Sequence, residues 1–199
     1  MSSSIIYFCA VSLPEQFLMA LFTWLILGKP KIAKFYNVLV MAVSAAAVFR
    51  ASQVFIQNLF GSTDRIVIQN ILVPAIQVIS FLVLMLLIYR VNIVEAVVGS
   101  LVMVIVFTVA QATIAISLML LFGWTREEFD SSQTVTVATA LVYFAVMILI
   151  CYFIYKFDLN IRYLMDRQKD KPYTSRVKFL VLQLSFSCMN LFIVYSLFL

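Results

Sequence analysis

The sequence predicts an all-α, polytopic integral membrane protein, and its composition and its long apolar runs carry that prediction. Hydrophobic residues make up 64% of the chain and charged residues only 12%, and the mean hydropathy is +1.08. Soluble domains are usually about half apolar and about a quarter charged. The apolar runs are unbroken, whereas strands of a membrane barrel alternate polar and apolar side chains. Helices are therefore expected, because a helix satisfies its own backbone hydrogen bonds inside a bilayer.

About six stretches have the roughly 20 apolar residues that a helix needs to cross the hydrocarbon core. They are predicted at about Ile5–Leu27, Phe35–Phe60, Ile66–Ile88, Ile93–Phe122, Val135–Phe157 and Phe179–Leu199. The first is expected to be retained rather than cleaved as a signal peptide, since it lacks a positive n-region and Pro14 and Glu15 interrupt it. Glu95 is expected in the first turn of the fourth helix, where a carboxylate is favoured. Residues 1–199 are expected to form a single transmembrane domain.

The distribution of Lys and Arg predicts the orientation, because cytoplasmic loops of membrane proteins are enriched in these residues. Basic residues follow the first, third and fifth predicted helices: Lys29, Lys31 and Lys34, then Arg90, then the loop at about 158–178. These three loops are therefore predicted in the cytoplasm, and both chain termini outside it. The chain is expected to be a multi-pass protein of the cell membrane, in a bacterium the plasma membrane.

The basic loop at about 158–178 is the only sizeable segment expected outside the bilayer. Two interpretations stay open: a stop-transfer anchor beside anionic lipid, or a docking surface for a cytoplasmic or membrane protein partner. The docking candidates are Arg162, Arg167, Lys169, Lys171 and Arg176. Acidic residues are interleaved with them, which favours a short amphipathic helix over a nucleic-acid-binding patch.

Two ionisable residues, Glu15 and Arg50, are the first candidates for function, since charges at membrane depth are costly. At 1.5 Å per residue, Glu15 would lie roughly 18 Å and Arg50 roughly 22 Å from the cytoplasmic ends of their helices. The two helices are adjacent and antiparallel, so an ion pair is predicted between Glu15 and Arg50. Either this pair only fixes the helix register, or one member binds a ligand or changes partner.

Amide side chains on the second, third and fourth predicted helices extend this group. They are Gln53, Gln57, Gln69, Asn70, Gln77 and Gln111. Gln53 and Gln57 share a helix face at spacing i, i+4, and Pro14 and Pro74 remove backbone donors nearby. With the charge pair, these amides predict a ligand-binding polar pocket in the outer half of the membrane. The alternative is ordinary hydrogen bonding between helices, without a ligand.

Several chemistries have no support in the sequence. Histidine, the commonest general base and metal ligand, is absent. The three cysteines, Cys9, Cys151 and Cys188, lie in apolar runs, as small buried residues do. No phosphate-binding glycine loop or metal-ligand cluster is present. We therefore expect no catalytic residue, metal, cofactor or nucleic-acid partner; the lipid bilayer is the expected partner, and an oligomer stays open.

The stretch Leu13-Pro14-Glu15, with the apolar run that ends in Leu27-Gly28-Lys29-Pro30, resembles the first helix of a known class of membrane sensor regions. These regions precede AgrC-like and Spo0B-like histidine kinase domains in Firmicutes. The similarity continues with Arg50, Arg90 and Glu95 and covers the first four predicted helices. It implies a receptor for an extracellular signal such as a peptide. Because no histidine or kinase domain follows, it implies a stand-alone or truncated sensor module, or a member with another role.

Three functions follow as hypotheses. The first is a non-enzymatic sensor, receptor or regulatory subunit that binds a small ligand or peptide in the outer-half polar pocket. The alternative is a substrate-binding or accessory subunit of a small-molecule transporter. The third is an intramembrane enzyme that uses Glu15 as an acid or base. It ranks last, because a carboxylate beside an arginine stays ionised.

Overall fold

A computed structural model describes residues 11–28, 34–59, 65–124 and 133–159, and their regular structure is entirely helical. The helices are α1 (Leu13–Ile26), α2 (Phe35–Leu59), α3 (Arg65–Leu84, continued by a π-helical turn at Met85–Tyr89), α4 (Ile93–Phe122) and α5 (Gln133–Phe157). The all-α prediction is confirmed for this part of the chain. The predicted sixth helix and most of the basic loop lie outside the described residues.

Four of these helices are long and apolar enough to cross a membrane. The spanning segments are Phe35–Ile56, Leu72–Tyr89, Ile93–Phe122 and Val135–Phe157. The helix α1 is apolar as well, but shorter. The structure thus supports a membrane protein, while the count of six spans and the sides of the two termini stay predictions.

The short helix α1 lies at the centre of the bundle. It packs against α2, α4 and α5, while α3 packs against α2 and α4. No residue of α1 is exposed, and six are buried: Gln16, Leu18, Ala20, Phe22, Thr23 and Leu25. A helix that is apolar all round belongs in an interior, so α1 serves as the core around which the longer helices pack.

The helix α5 buries one stripe, and both α4 and α5 leave large apolar side chains exposed. Along α5 the buried positions recur every three or four residues, at Tyr143, Met147, Cys151 and Ile154. Large apolar side chains such as Leu141 cover the opposite face, with 64% of Leu141 exposed. An exposed apolar surface of this kind suits acyl chains, because lipid is as apolar as the side chains it solvates.

Tyr89 joins the end of α3 to the middle of α1. Its ring is 0% exposed, and its hydroxyl donates a hydrogen bond to the backbone carbonyl of Ala20 at 2.9 Å. The following residue, Arg90, has a positive φ of 51° and ends the π-helical turn. Asn92 and Glu95 then form a capping box that starts α4. The predicted place of Glu95 in the first turn is therefore confirmed.

Replacing Tyr89 by phenylalanine should lower the free energy of unfolding by about 1 kcal/mol, the usual net contribution of a buried hydrogen bond. The ring still fills its site, so the change isolates the bond to Ala20. Denaturant unfolding in detergent micelles measures the difference. Tyr36→Phe serves as the control, because Tyr36 is 61% exposed and should change little. Equal losses in the two variants would show that the bond to Ala20 does not stabilise the bundle.

Candidate functional site

A cavity of about 240 Å³ lies where α1, α4 and α5 meet. Its polar and aromatic lining comes from all three helices and consists of Glu15, Gln111, Thr136, Thr139, Tyr143 and Phe144. The remaining lining is aliphatic, including Ile114 and Ala115. The cavity therefore combines one carboxylate, one amide, hydroxyl groups and aromatic rings in a largely apolar wall.

Glu15 is held by an amide across the bundle. The Gln111 Nε2 donates a hydrogen bond to the Glu15 Oε1 at 2.8 Å, a short distance typical of a bond to a charged acceptor. Pro14 and Glu15 occupy the first turn of α1, which follows directly on helical residues at 11 and 12. The Glu15 side chain is half-buried and that of Gln111 exposed, so the pair lies at the edge of the bundle interior.

The α5 side of the cavity contributes two hydroxyls without a visible partner. The Thr139 Oγ1 and the Tyr143 hydroxyl are buried, and neither has a hydrogen-bond partner among the described residues. Buried polar atoms in folded proteins are nearly always paired, so these two indicate a place where a ligand can bind. The Tyr143 ring is fixed by an edge-on contact with Phe107, with centroids 6.1 Å apart.

Arg50 is not among the residues that line the cavity, and its hydrogen bond differs from the predicted ion pair with Glu15. One of its guanidinium nitrogens donates to the Gln53 Oε1 at 3.2 Å, within the same helix. The predicted ion pair between Glu15 and Arg50 is thus not what the structure shows, since Glu15 bonds to Gln111 instead. Equal depth along two neighbouring helices does not fix the direction of a side chain around them. Glu15 faces α4 and α5, whereas Arg50 belongs to α2.

The single pocket predicted from the sequence is therefore divided. Glu15 and Gln111 meet, while Gln77 contacts α1 separately, through a bond from its Nε2 to the Met19 Sδ at 3.4 Å. The side chains of other candidates lie outside the described residues: Gln57, Gln69, Asn70, Arg162, Arg167, Lys169, Lys171 and Arg176.

The polar residues of α5 were not among the predicted site residues, although their spacing carries a signal. Thr136, Thr139 and Tyr143 follow the spacing i, i+3, i+7, which places side chains on one face of a helix. The same face continues into the buried stripe at Met147 and Cys151. A polar stripe in line with a buried one is expected to face a polar interior site.

A second cavity of about 350 Å³ lies between α4 and α5. Its lining is aliphatic apart from Thr113 and includes Ile105, Val109, Val146 and Ile150. A wall of this kind offers space for an apolar chain but almost no polar group to orient a ligand. The polar cavity is therefore the better candidate site.

Fold and site together define a class: a helical bundle of the membrane type with a polar interior cavity. Comparison of the chain with protein-family models, curated proteins and solved structures finds no match. The similarity to kinase-linked sensor regions accordingly stays a prediction.

Proposed function

We propose that the chain is a non-enzymatic, multi-pass protein of the cell membrane, a receptor or regulatory subunit that binds a small ligand between α1, α4 and α5. One observation carries the proposal: Glu15, held by Gln111 at 2.8 Å, shares a cavity with two buried hydroxyls that lack partners within the described part of the chain. A bound ligand would supply those partners. A purely structural cluster would be expected to pair them internally.

The predicted orientation assigns the cavity to one side of the membrane. Glu15 lies in the first turn of α1 and Thr136 in the first turn of α5. Both starts lie at the end of the bundle away from Lys34 and Arg90, which precede α2 and α4. With about six spans and both termini outside, as the loop charges predict, the cavity belongs to the outer half of the membrane. A ligand would reach it from outside the cell.

The volume limits the ligand. The cavity measures about 240 Å³, larger than an engineered cavity of about 150 Å³ that binds benzene. It is smaller than the 300–1,000 Å³ or so that drug-sized ligands occupy. These bounds limit the ligand to at most roughly ten non-hydrogen atoms. A peptide signal could place only one side chain in it.

The cavity offers little for catalysis. The hydrogen-bond partner of Glu15 is the Gln111 amide and not an arginine. Among the lining residues Glu15 is the single carboxylate. A hydrolytic or transfer reaction needs a nucleophile with an adjacent base or a pair of acid and base groups. In the described lining no hydrogen bond joins Glu15 to the hydroxyl of Thr139 or Tyr143, so binding is the function it supports.

A panel of small molecules tests the proposal on the full-length chain in a non-ionic detergent. The panel contains alcohols, amides, carboxylates and amines of roughly four to ten non-hydrogen atoms, and the readout is the thermal unfolding midpoint. At least one class should raise the midpoint of the wild-type chain but not that of the Thr139→Val, Tyr143→Phe double variant. The ligand-free double variant should be no less stable than wild type, because it loses only unpaired hydroxyls.

The control variant removes the same atoms elsewhere, by Thr113→Val together with Tyr36→Phe, and should respond as wild type does. Mass spectrometry of the recovered compound should find it unchanged; a converted product would favour the enzyme. Accumulation of the compound inside vesicles that carry the chain would favour the transporter subunit. If no class raises the wild-type midpoint, the proposal is wrong.

A further inference from the structure

The carboxyl group of the cavity points to a chemical class of ligand. Glu15 is the single carboxyl-bearing side chain among the lining residues, and no Lys or Arg lies with it in the wall. A carboxylate in such surroundings is stabilised by an opposite charge. We propose that the cavity binds a small organic ammonium ion, which names the ligand class of the proposed function and rests on it.

The hydrogen-bonding groups of the cavity suit a donor-rich ligand. An ammonium group has up to three N–H donors and no acceptor. The Glu15 Oε1 accepts a hydrogen bond from Gln111, and no second bond to this carboxyl group is seen among the described residues. The hydroxyl oxygens of Thr139 and Tyr143 are two further acceptors, both without a partner in the described structure. Three acceptors therefore belong to the lining of one cavity, and a carboxylate ligand would instead face the carboxyl group of Glu15.

The aromatic part of the wall suits a cation with an alkyl body. Tyr143 and Phe144 both line the cavity, with ring centroids 5.8 Å apart and planes tilted by 49°. A cation within about 6 Å of an aromatic face is attracted to it. The alkyl part would pack against Ile114 and Ala115, which an inorganic ion cannot do. Among the described residues no group of three His, Cys, Asp or Glu side chains is placed to hold a metal ion.

The test compares two probes of the same size and shape, n-butylammonium and n-butanol, by calorimetric titration of the full-length chain in a non-ionic detergent at neutral pH. An alkylammonium is fully charged there. Wild type should bind n-butylammonium at least about tenfold more tightly than n-butanol, since one good charge contact is worth that factor. Glu15→Gln should remove the difference.

Glu95→Gln is the matched control. It deletes the same charge outside the cavity, and glutamine preserves the capping box at that position, so binding should equal that of wild type. Tyr143→Phe keeps the ring and removes one acceptor; it should weaken n-butylammonium by about threefold to tenfold. This second variant keeps the proposal testable if Glu15→Gln does not fold.

The outcomes separate the two proposals. Equal affinity for both probes, or unchanged n-butylammonium binding in Glu15→Gln and in Tyr143→Phe, would overturn the ammonium ligand. In that case a neutral or anionic compound that stabilises wild type in the panel would still support a ligand-binding cavity. If neither these probes nor any panel compound binds, both proposals are wrong.

Discussion

Replacement of Phe107 by alanine is expected to lower the free energy of unfolding by about 3 kcal/mol, the largest effect of any substitution proposed for this chain. Phe107 is 2% exposed and makes edge-on contacts with Phe22, at a centroid distance of 5.6 Å, and with Tyr143, at 6.1 Å. It thus joins α1, α4 and α5. The value lies at the low end for Phe→Ala changes, because in a membrane the loss is one of packing rather than of transfer from water.

Unfolding in detergent micelles measures this loss, and Phe55→Ala is the control. Phe55 is 63% exposed, so detergent solvates it in the folded and unfolded states alike and its removal should change the free energy by less than about 0.5 kcal/mol. Phe107 also contacts the Tyr143 ring and lies one helical turn from Gln111. Its loss should therefore loosen Tyr143 in the cavity wall and weaken ligand binding. A similar small effect at both positions would show that α1, α4 and α5 do not pack through this aromatic cluster.

The extents of the helices could be predicted closely from the sequence. The predicted fourth helix, Ile93–Phe122, has the bounds that the structure gives α4. Both limits are set by where apolar runs meet Gly, Pro or charged residues, which is a local property of the chain. For α1 the described part begins at residue 11, so the predicted start at Ile5 stays a prediction.

The directions of the side chains could not be predicted in the same way. Successive residues of a helix are rotated by about 100°, so the face matters as much as the depth. In α1 nearly every residue is apolar, and no polar face shows which side Glu15 occupies. Its depth alone suggested Arg50, whereas packing in three dimensions brought it to Gln111. In α5 the sequence did indicate the direction, because Thr136, Thr139 and Tyr143 recur at the spacing i, i+3, i+7 on one face of the helix.

Gln16 shows how a consequential residue escapes sequence reasoning. It follows Glu15 and is the more deeply buried of the two, with 0% of its surface exposed. Neither its Nε2 nor its Oε1 has a hydrogen-bond partner among the residues that the structure describes. A glutamine is uncharged, so a prediction that starts from ionisable residues at membrane depth does not include it. An amide in such surroundings is nevertheless costly, because its desolvation is not repaid.

Gln16→Met is therefore expected to raise the free energy of unfolding by about 2 kcal/mol, since leaving a buried polar group unpaired costs about 1–3 kcal/mol. Methionine has nearly the same volume and shape as glutamine, so packing in α1 is preserved. Unfolding in detergent micelles measures the difference. A higher free energy of unfolding in Gln16→Met would show that the Gln16 amide destabilises the folded bundle.

Gln77→Met is the control for that change, because the Gln77 amide already donates to the Met19 Sδ at 3.4 Å and is only half-buried. Its replacement should bring no gain and could cost a few tenths of a kcal/mol. The two variants should differ because removing a polar group stabilises a bundle only where that group has no partner. A loss of stability in Gln16→Met would mean that the folded protein supplies a partner to this amide, and α1 would then be held in the bundle by polar as well as apolar contacts.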